Sequence, residues 1–139
     1  MDYNEAKSTL SARKVKPTAN RIIIYKVLSE ATHPVSLTDL EIAIGTIDKA
    51  SIFRTLTMFA DHDLVHAFMD GSKSMKYELC VAGVHTIGDM HAHFYCEKCL
   101  KTYCLEDVRV PQANLPEGFT AHDVNYVVKG ICPDCQGKL

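Results

Sequence analysis

Residues 36–79 read SLTDLEIAIGTIDKASIFRTLTMFADHDLVHAFMDGSKSMKYEL, and this stretch decides the fold of the N-terminal half of the chain. The segment Ser36-Leu37-Thr38-Asp39 is typical of a helix start, because the acid three residues after the serine completes a capping box. Gly45 fits the position just after the end of that helix. Asp48 is a good N-cap for a second helix, and two helices joined by a short turn indicate a helix-turn-helix.

The end of the same stretch predicts a β-hairpin. Two runs with strand character, 64–68 and 75–79, flank Asp70-Gly71-Ser72-Lys73, which is typical of a hairpin turn. Upstream, two further helices are predicted before His33-Pro34. Helices followed by a hairpin predict a winged helix-turn-helix domain over residues 1–80.

Four cysteines form two pairs in the C-terminal third. Cys96-Glu97-Lys98-Cys99 and Cys132-Pro133-Asp134-Cys135 can each offer two thiolates to one ion, and together they complete a tetrahedral shell that suits Zn²⁺. The spacing also leaves open an iron site of the rubredoxin or iron–sulfur type, and thiols that are merely buried or disordered. We predict a structural zinc site that ties the two ends of this lobe together. Its ligands are Cys96, Cys99, Cys132 and Cys135.

A second metal site is predicted near the junction of the two halves. His91 and His93 lie two residues apart, so that on a strand their side chains point to the same face and can share an ion. Cys104 falls at the end of the next predicted strand, and a thiolate ligand favours Zn²⁺ over Fe²⁺ or Mn²⁺. The predicted regulatory ligands are His33, Glu78, His91, His93 and Cys104, with Cys80 and His85 as further candidates.

Charge is distributed unevenly, although the net charge is only −2. Between residues 11 and 26 there are five Lys or Arg residues and no acid. The polar side of the helix predicted after Asp48 could face DNA, with Arg54 reaching a guanine edge or a phosphate. The predicted contacts to double-stranded DNA come from Lys16, Arg21, Lys49, Ser51, Arg54 and Thr55, with Lys73 and Lys76 of the hairpin adding contacts to phosphates.

The bulk composition, 47% hydrophobic and 23% charged over 139 residues, is that of an ordinary globular protein. No apolar run approaches the ~20 residues of a membrane span, and the N-terminus lacks a signal-peptide pattern. We therefore expect a cytoplasmic protein without a membrane partner. In that reducing environment, six cysteines indicate metal ligands or thiols.

Taken together, these motifs resemble the ferric uptake regulator family of bacterial metalloregulators over nearly the whole chain. Lys16-Pro17-Thr18-Ala19-Asn20-Arg21 resembles the opening helix of that family. Ala50-Ser51-Ile52-Phe53-Arg54-Thr55-Leu56 is similar to its recognition-helix motif, with Phe53 where tyrosine is usual. His91-x-His93-x-x-Cys96-x-x-Cys99 and Gly130-x-Cys132-x-x-Cys135 resemble its metal motifs.

The resemblance implies an α+β protein with an N-terminal winged helix-turn-helix domain and a small C-terminal α/β dimerisation domain. The expected boundaries are 1–80 for the DNA-binding domain, 81–90 for a hinge or loop, and 91–139 for the metal-binding dimerisation domain. The resemblance further implies a homodimer that binds a palindromic operator when a regulatory ion lies between the lobes, usually as a repressor. It places Phe53 among the DNA-binding residues, and it implies neither enzymatic activity nor a small-molecule substrate.

Two departures from the family pattern refine the expectation. Cys104 stands where iron- and peroxide-sensing members commonly have a carboxylate, which favours a zinc-uptake regulator, with a second Zn²⁺ rather than Fe²⁺ or Mn²⁺ as the regulatory ion. An iron- or peroxide-responsive member remains the alternative. Residues 106–117 contain Pro111 and Pro116 and leave no room for the family's long dimerisation helix, so the dimer is expected to depend more on sheet pairing.

Two alternatives come from other classes of protein. A zinc enzyme could use His91, His93 and Cys104 around an ion with an open position, but no His-Glu-x-x-His arrangement accompanies them. A metal buffer or chaperone would explain the metal ligands and leave the basic N-terminal cluster without a role.

Overall fold

The computed structural model describes residues 1–79, 91–122 and 124–137, so the predicted hinge or loop at 81–90 lies outside the described residues. Four α-helices and a three-stranded sheet form the N-terminal lobe. A second three-stranded sheet and a short 3-10 turn form the C-terminal lobe. The elements in chain order are α1 (Tyr3–Ala12), α2 (Ala19–Glu30), β1 (Val35–Ser36), α3 (Leu37–Ile44), α4 (Lys49–Asp61), β2 (Val65–Met69), β3 (Met75–Leu79), β4 (His91–Cys96), β5 (Thr102–Arg109), β6 (Val127–Gly130) and the 3-10 turn Pro133–Cys135.

The helices begin where the sequence predicts them. Ser36 and Asp39 form a complete capping box at the start of α3, which ends at Gly45 with a positive φ of 74°. Such a left-handed conformation is open to glycine because glycine has no Cβ. The carboxylate of Asp48 accepts the backbone N–H of Ser51 and caps α4. The predicted helix-turn-helix is confirmed.

One face of α4 holds it in the core of the N-terminal lobe. Ile52, Leu56 and Phe59 follow one another at helical spacing and are fully buried. The Phe59 ring packs edge-on against Tyr25 of α2, with 6.2 Å between the ring centroids. Each such side chain stabilises the lobe by about 1.5–3 kcal/mol on burial. The opposite face of α4 is therefore left at the surface.

The predicted hairpin is confirmed, with β2 one residue later than expected. The first sheet has the order β1-β3-β2 and is antiparallel throughout. Its register places His66 opposite Glu78. The helices and this hairpin together make the winged helix that the sequence predicts.

The second sheet has the order β5-β4-β6, with β5 antiparallel and β6 parallel to β4. The described residues between β5 and β6 contain no helix, in agreement with the expectation from Pro111 and Pro116. Phe119 is 68% exposed, and the chain forms a strand only from Val127, where it pairs with the edge of β4.

The turn of the hairpin packs against the second sheet. Asp70 is 0% exposed, and its carboxylate accepts hydrogen bonds from Lys76 Nζ at 2.8 Å and from the hydroxyl of Thr102 at the start of β5. The side-chain amide of Asn125 donates to the carbonyl oxygen of Met69 at 2.7 Å. The turn of the β2–β3 hairpin, which is the wing of the winged helix, is thereby joined to the C-terminal lobe.

The prediction that Lys76 contacts DNA is wrong. Its side chain is in an ion pair with Asp70 and the residue is only 8% exposed, so its ammonium group faces a carboxylate within the protein. Burial tends to raise the pKa of Asp70, but hydrogen bonds from Lys76, Ser72 and Thr102 outweigh it and lower that pKa to about 2. Asp70 is therefore charged at neutral pH. Lys73 is exposed at the turn.

This ion pair leads to a prediction about stability. We expect Asp70→Asn to cost about 3–5 kcal/mol in the free energy of unfolding, because it leaves the Lys76 ammonium buried beside a neutral amide. The double variant Asp70→Asn/Lys76→Met should recover part of that loss. Urea unfolding of the zinc-loaded protein, followed by far-UV circular dichroism, measures the cycle. Strictly additive costs would show that the two side chains are not coupled.

None of the helices in the part of the chain that the structure describes has the length and hydrophobicity of a bilayer-spanning helix.

Candidate metal centres and nucleic-acid interface

The four paired cysteines meet at one end of the second sheet. The parallel pairing of β6 with β4 places Gly130 beside Cys96, so the two cysteine loops follow from neighbouring strand ends. The four Sγ atoms lie within 4.8 Å of one another, and Cys99 Sγ is 3.8 Å from Cys132 Sγ. A tetrahedral Zn²⁺ with bonds of about 2.3 Å places its sulfur ligands about 3.8 Å apart. The arrangement fits a Cys₄ zinc ion.

Backbone hydrogen bonds prepare Cys96 to bind as a thiolate. The N–H groups of Cys99 and Cys132 point at its sulfur, at 3.5 Å and 3.4 Å. Burial tends to raise the pKa of the Cys96 thiol, but these N–H groups and that of Lys98 lower it to about 6. Phe94, Tyr103 and Ile131 pack around the cysteines, and the Tyr103 hydroxyl lowers the pKa of Cys132 by donating to its sulfur. Such a closed, four-sulfur site is structural in character.

A second group of metal-ligand side chains lies between the two sheets. His66 on β2 and Glu78 on β3 face each other across the hairpin, and His93 reaches them from β4. Glu78 Oε1 is 2.5 Å from His66 Nε2 and 2.7 Å from His93 Nε2. The Phe68 ring stacks on His93 with 3.8 Å between centroids. Side chains from both lobes therefore converge on one point.

The charge and chemistry of this group suit a divalent cation. Burial tends to raise the pKa of Glu78, but hydrogen bonds from His66 and His93 outweigh it and lower that pKa to about 2, so the carboxylate is charged. Two imidazoles and one carboxylate are ligands that bind Zn²⁺ or Fe²⁺. Their ligand atoms lie within 4.8 Å of one another, close enough to converge on one ion. Since the ligands come from two lobes, occupancy and lobe orientation are linked.

The structure brings together two of the residues predicted for the regulatory site, Glu78 and His93. Two others, His33 and Cys104, lie outside this group. The ring of His33 packs edge-on against Tyr103 of β5, with 4.9 Å between centroids, and Cys104 is the register partner of His93 on the neighbouring strand. Of the remaining predicted ligands, only the backbone of His91 is described, and Cys80 and His85 lie outside the described ranges.

Sequence reasoning missed His66. The predicted turn Asp70-Gly71-Ser72-Lys73 would pair His66 with Tyr77, whereas the observed turn is centred on Ser72 and places His66 directly opposite Glu78. A shift of one residue in the register therefore hid this ligand from the sequence. His66 has no second histidine at the two-residue spacing of His91 and His93, since the nearest one, His62, lies four positions earlier.

The outer face of α4 carries most of the side chains predicted to contact DNA. Lys49, Phe53 and Arg54 are exposed, Phe53 by 51%. Arg54 Nη2 donates to Ser51 Oγ at 3.1 Å, and the Ser51 hydroxyl donates in turn to Asp48 at 2.6 Å. Thr55 donates to the carbonyl oxygen of Ser51 at 3.0 Å. This network holds the Arg54 guanidinium against the first turn of the helix.

The two predicted basic contacts from the start of α2 lie next to each other. Arg21 Nη1 donates to the carbonyl oxygen of Lys16 at 3.0 Å, and Lys16 is exposed. Lys49 Nζ donates to Thr38 at 3.1 Å and lies 3.7 Å from the Glu41 carboxylate, which ties the start of α4 to α3.

The fold defines a class of protein, the two-lobed winged-helix proteins with groups of metal-ligand side chains in the C-terminal sheet and between the lobes. The family model described as "Ferric uptake regulator family" matches residues 12–128. The chain therefore belongs to the ferric uptake regulator family. Members of this family are metal-responsive transcription regulators rather than enzymes, and they are dimeric and bind DNA.

Solved structures of this family share the fold at low sequence identity. The ferric uptake regulator of Pseudomonas aeruginosa with manganese is 20% identical, with a TM-score of 0.63 and coverage of 96% of this chain and 99% of that one. A zinc uptake regulator complexed with zinc and DNA is 19% identical, with a TM-score of 0.63 and coverage of 96% and 91%. The Helicobacter pylori ferric uptake regulator is 18% identical, with a TM-score of 0.61 and coverage of 96% and 90%. No curated protein sequence matches the chain.

Proposed function

We propose that this protein is a transcription repressor whose DNA binding is switched on by a divalent ion bound by His66, Glu78 and His93. One observation carries the proposal: the three side chains come from both lobes and meet with their ligand atoms within 4.8 Å of one another. An ion favours a conformation only by its differential affinity for it. The ion binds the docked conformation more tightly, because His66, Glu78 and His93 lie together only when the two lobes are docked.

The ion's effect reaches DNA through a short connection. Helix α4 ends at Asp61 and β2 begins at Val65. Within that connection Leu64 is buried in the core, and its N–H donates to the carbonyl oxygen of Phe59 at 2.9 Å. The orientation of the hairpin therefore fixes the orientation of α4. In a homodimer, holding both copies of α4 at one spacing suits the successive major grooves of a palindromic operator.

Two further assignments belong to the proposal. Cys96, Cys99, Cys132 and Cys135 hold a structural Zn²⁺ that stabilises the C-terminal lobe. DNA is contacted by the outer face of α4 and the start of α2. The residues concerned are Lys16, Arg21, Lys49, Ser51, Phe53, Arg54 and Thr55.

We propose Zn²⁺ as the regulatory ion. Support comes from Cys104, whose position as the register partner of His93 places a thiol on the same face of the sheet as a proposed ligand. Thiolates and imidazoles together favour Zn²⁺ over Mn²⁺, whereas two imidazoles and a carboxylate alone also suit Fe²⁺. Competition titrations with Zn²⁺, Fe²⁺ and Mn²⁺ under anaerobic conditions distinguish the zinc proposal from the iron alternative.

The test is DNA binding as a function of metal. A duplex enriched from a random DNA library by the zinc-loaded protein serves as the probe, and fluorescence anisotropy measures its affinity with one and with two equivalents of Zn²⁺ per chain. Coupling between an effector and a second ligand is typically 5–150-fold, so we expect about a tenfold or larger gain for the wild type. His93→Ala should lose that gain, because it removes the ligand that comes from the second lobe.

His122→Ala is the matched control for this test, since His122 is an exposed histidine of the C-terminal lobe outside the metal group. It should respond to Zn²⁺ as the wild type does. If His93→Ala kept the full response to metal, the proposed regulatory site would be wrong.

A further inference from the structure

We propose that the hydrogen bond from Thr102 to Asp70 is a metal-independent latch that docks the wing on the C-terminal sheet and so positions the metal ligands between the lobes. Asp70 and Thr102 thereby act as positioning residues for a site that neither of them touches. The effect on the ion rests on the proposed function above. The docking itself can be measured without a regulatory ion.

The hairpin is attached to the second sheet at both of its ends. At the open end, His66 and Glu78 meet His93 of β4. At the turn, Asp70 accepts from Thr102 of β5. An ion can strengthen only the attachment at the open end, where His66, Glu78 and His93 meet. At the turn, the one metal-ligand group among the described contacts is the carboxylate of Asp70, which is already bonded to Lys76, Ser72 and Thr102.

The turn is built to present one carboxylate to the second lobe. Within the hairpin, Lys76 holds one oxygen of Asp70, while the N–H and hydroxyl of Ser72 bond the other. The carboxylate is therefore oriented before the lobes meet. Thr102 is almost completely buried. When the lobes dock, its hydroxyl therefore loses its hydrogen bond to water and donates to the carboxylate of Asp70 instead.

Two weaker contacts support the same docked position. Asn125 donates to the carbonyl oxygen of Met69 at 2.7 Å, and the aliphatic part of the Lys129 side chain lies against Gly71. Gly71 has a positive φ of 90°, and a Cβ at this position would lie 2.2 Å from Lys129 Cε. The turn needs glycine for its backbone conformation, and the absence of a Cβ lets the Lys129 side chain lie directly against it.

Preorganisation raises the affinity of a divided site. The apparent affinity for an ion falls in proportion to the fraction of molecules that have the ligands together. A hydrogen bond to a charged acceptor contributes enough to shift a two-state equilibrium by about tenfold or more. A latch that keeps the lobes docked without metal therefore removes this conformational cost from ion binding.

Thr102→Val and Thr102→Ser form a matched pair that isolates the hydroxyl. Valine keeps the shape and loses the donor, whereas serine keeps the donor. Both variants preserve the bonds of Asp70 to Lys76 and Ser72 within the hairpin. Each protein is prepared with one Zn²⁺ per chain. Hydrogen–deuterium exchange of the turn, residues 70–74, is then measured, followed by titration of a second Zn²⁺ against a chromophoric chelator.

We expect Thr102→Val to exchange about tenfold faster in the turn and to bind the second Zn²⁺ about tenfold more weakly. Thr102→Ser should behave as the wild type, and all three proteins should keep their first Zn²⁺ and their unfolding temperature within a few degrees. A merely structural role for Thr102 would lower the unfolding temperature without a selective effect on the second Zn²⁺.

The proposal would be overturned if Thr102→Val showed the same exchange rate in the turn and the same affinity for the second Zn²⁺ as the wild type. It would also be overturned by equal defects in both variants, because the hydroxyl would then not be responsible. Failure of the proposed function is a separate result. If the wild type takes up only one Zn²⁺ while exchange in Thr102→Val is still faster, the latch is supported and the regulatory site is wrong.

Discussion

Replacing Cys132 by serine is expected to abolish zinc binding at the four-cysteine site and to unfold the C-terminal lobe. The lobe has a small core, in which Cys96, Cys132 and Cys135 themselves are the buried members of the cluster packed by Phe94, Tyr103 and Ile131. With so little apolar surface to bury, its stability must come largely from the ion. Structural zinc sites contribute about 10–16 kcal/mol of binding free energy, which exceeds the stability of a typical small domain.

The position of the cysteines makes the effect cooperative. Strand β6 is held beside β4 by four paired residues, and the two cysteine loops close the same end of that pairing. Loss of the ion leaves β6 attached to β4 by a short parallel ladder alone. We therefore expect the loss of β6, of the second sheet and of any dimer that depends on it.

Three measurements check this prediction. Metal analysis should give one Zn²⁺ fewer per chain than the wild type, two-dimensional NMR should show the amides of residues 91–137 collapsing to unfolded positions, and sedimentation should show monomers. His122→Ala is the control, because His122 is exposed on the C-terminal lobe and belongs to neither group of metal-ligand side chains. A folded C-terminal lobe in zinc-free Cys132→Ser would show that packing alone stabilises it.

The second large effect is expected at Arg54. Replacing this residue by alanine should weaken binding to the selected duplex by about a hundredfold. One bidentate contact from arginine to a base contributes about 1–3 kcal/mol, and a dimer on a palindrome makes that contact twice. The structure supports this expectation because Ser51, itself held by Asp48, keeps the exposed guanidinium close to the first turn of α4.

Specificity should change together with affinity. The preference of Arg54→Ala for the selected over a scrambled duplex should fall by about the same hundredfold factor, since loss of a base contact relaxes discrimination at that position. Lys101→Ala is the control for the loss of one positive charge, because Lys101 is exposed on the C-terminal lobe and is not among the residues proposed to contact DNA. An Arg54→Ala protein that lost affinity but kept its preference for the selected sequence would place Arg54 on a phosphate instead.

Local signals explain why so much of the N-terminal lobe could be predicted. Asp48 caps α4, Gly45 ends α3, and the apolar stripe of Ile52, Leu56 and Phe59 defines the buried face of α4. Each of these interactions is made between residues within one or two helical turns. The pairing of cysteines at two-residue spacing is local in the same sense, because each pair forms one loop.

Contacts between the lobes could not be predicted in this way. From the sequence, Lys76 is expected to be an exposed lysine of the hairpin, yet it is buried in an ion pair with Asp70, which in turn accepts a hydrogen bond from Thr102 of the other lobe. His66 gains its significance only when Glu78 and His93 are brought beside it. A charge or an imidazole has no fixed role in a sequence, since its role depends on partners that are distant along the chain.

The amino-acid sequence by itself determined the winged helix, the family and the grouping of the four cysteines, because periodicity, caps and short spacings act over a few residues. The tertiary structure alone decided which side chains meet between the lobes. That outcome depends on how the hairpin docks on the second sheet, and the buried carboxylate of Asp70 holds it there through a bond to Thr102, which lies 32 positions further along the chain.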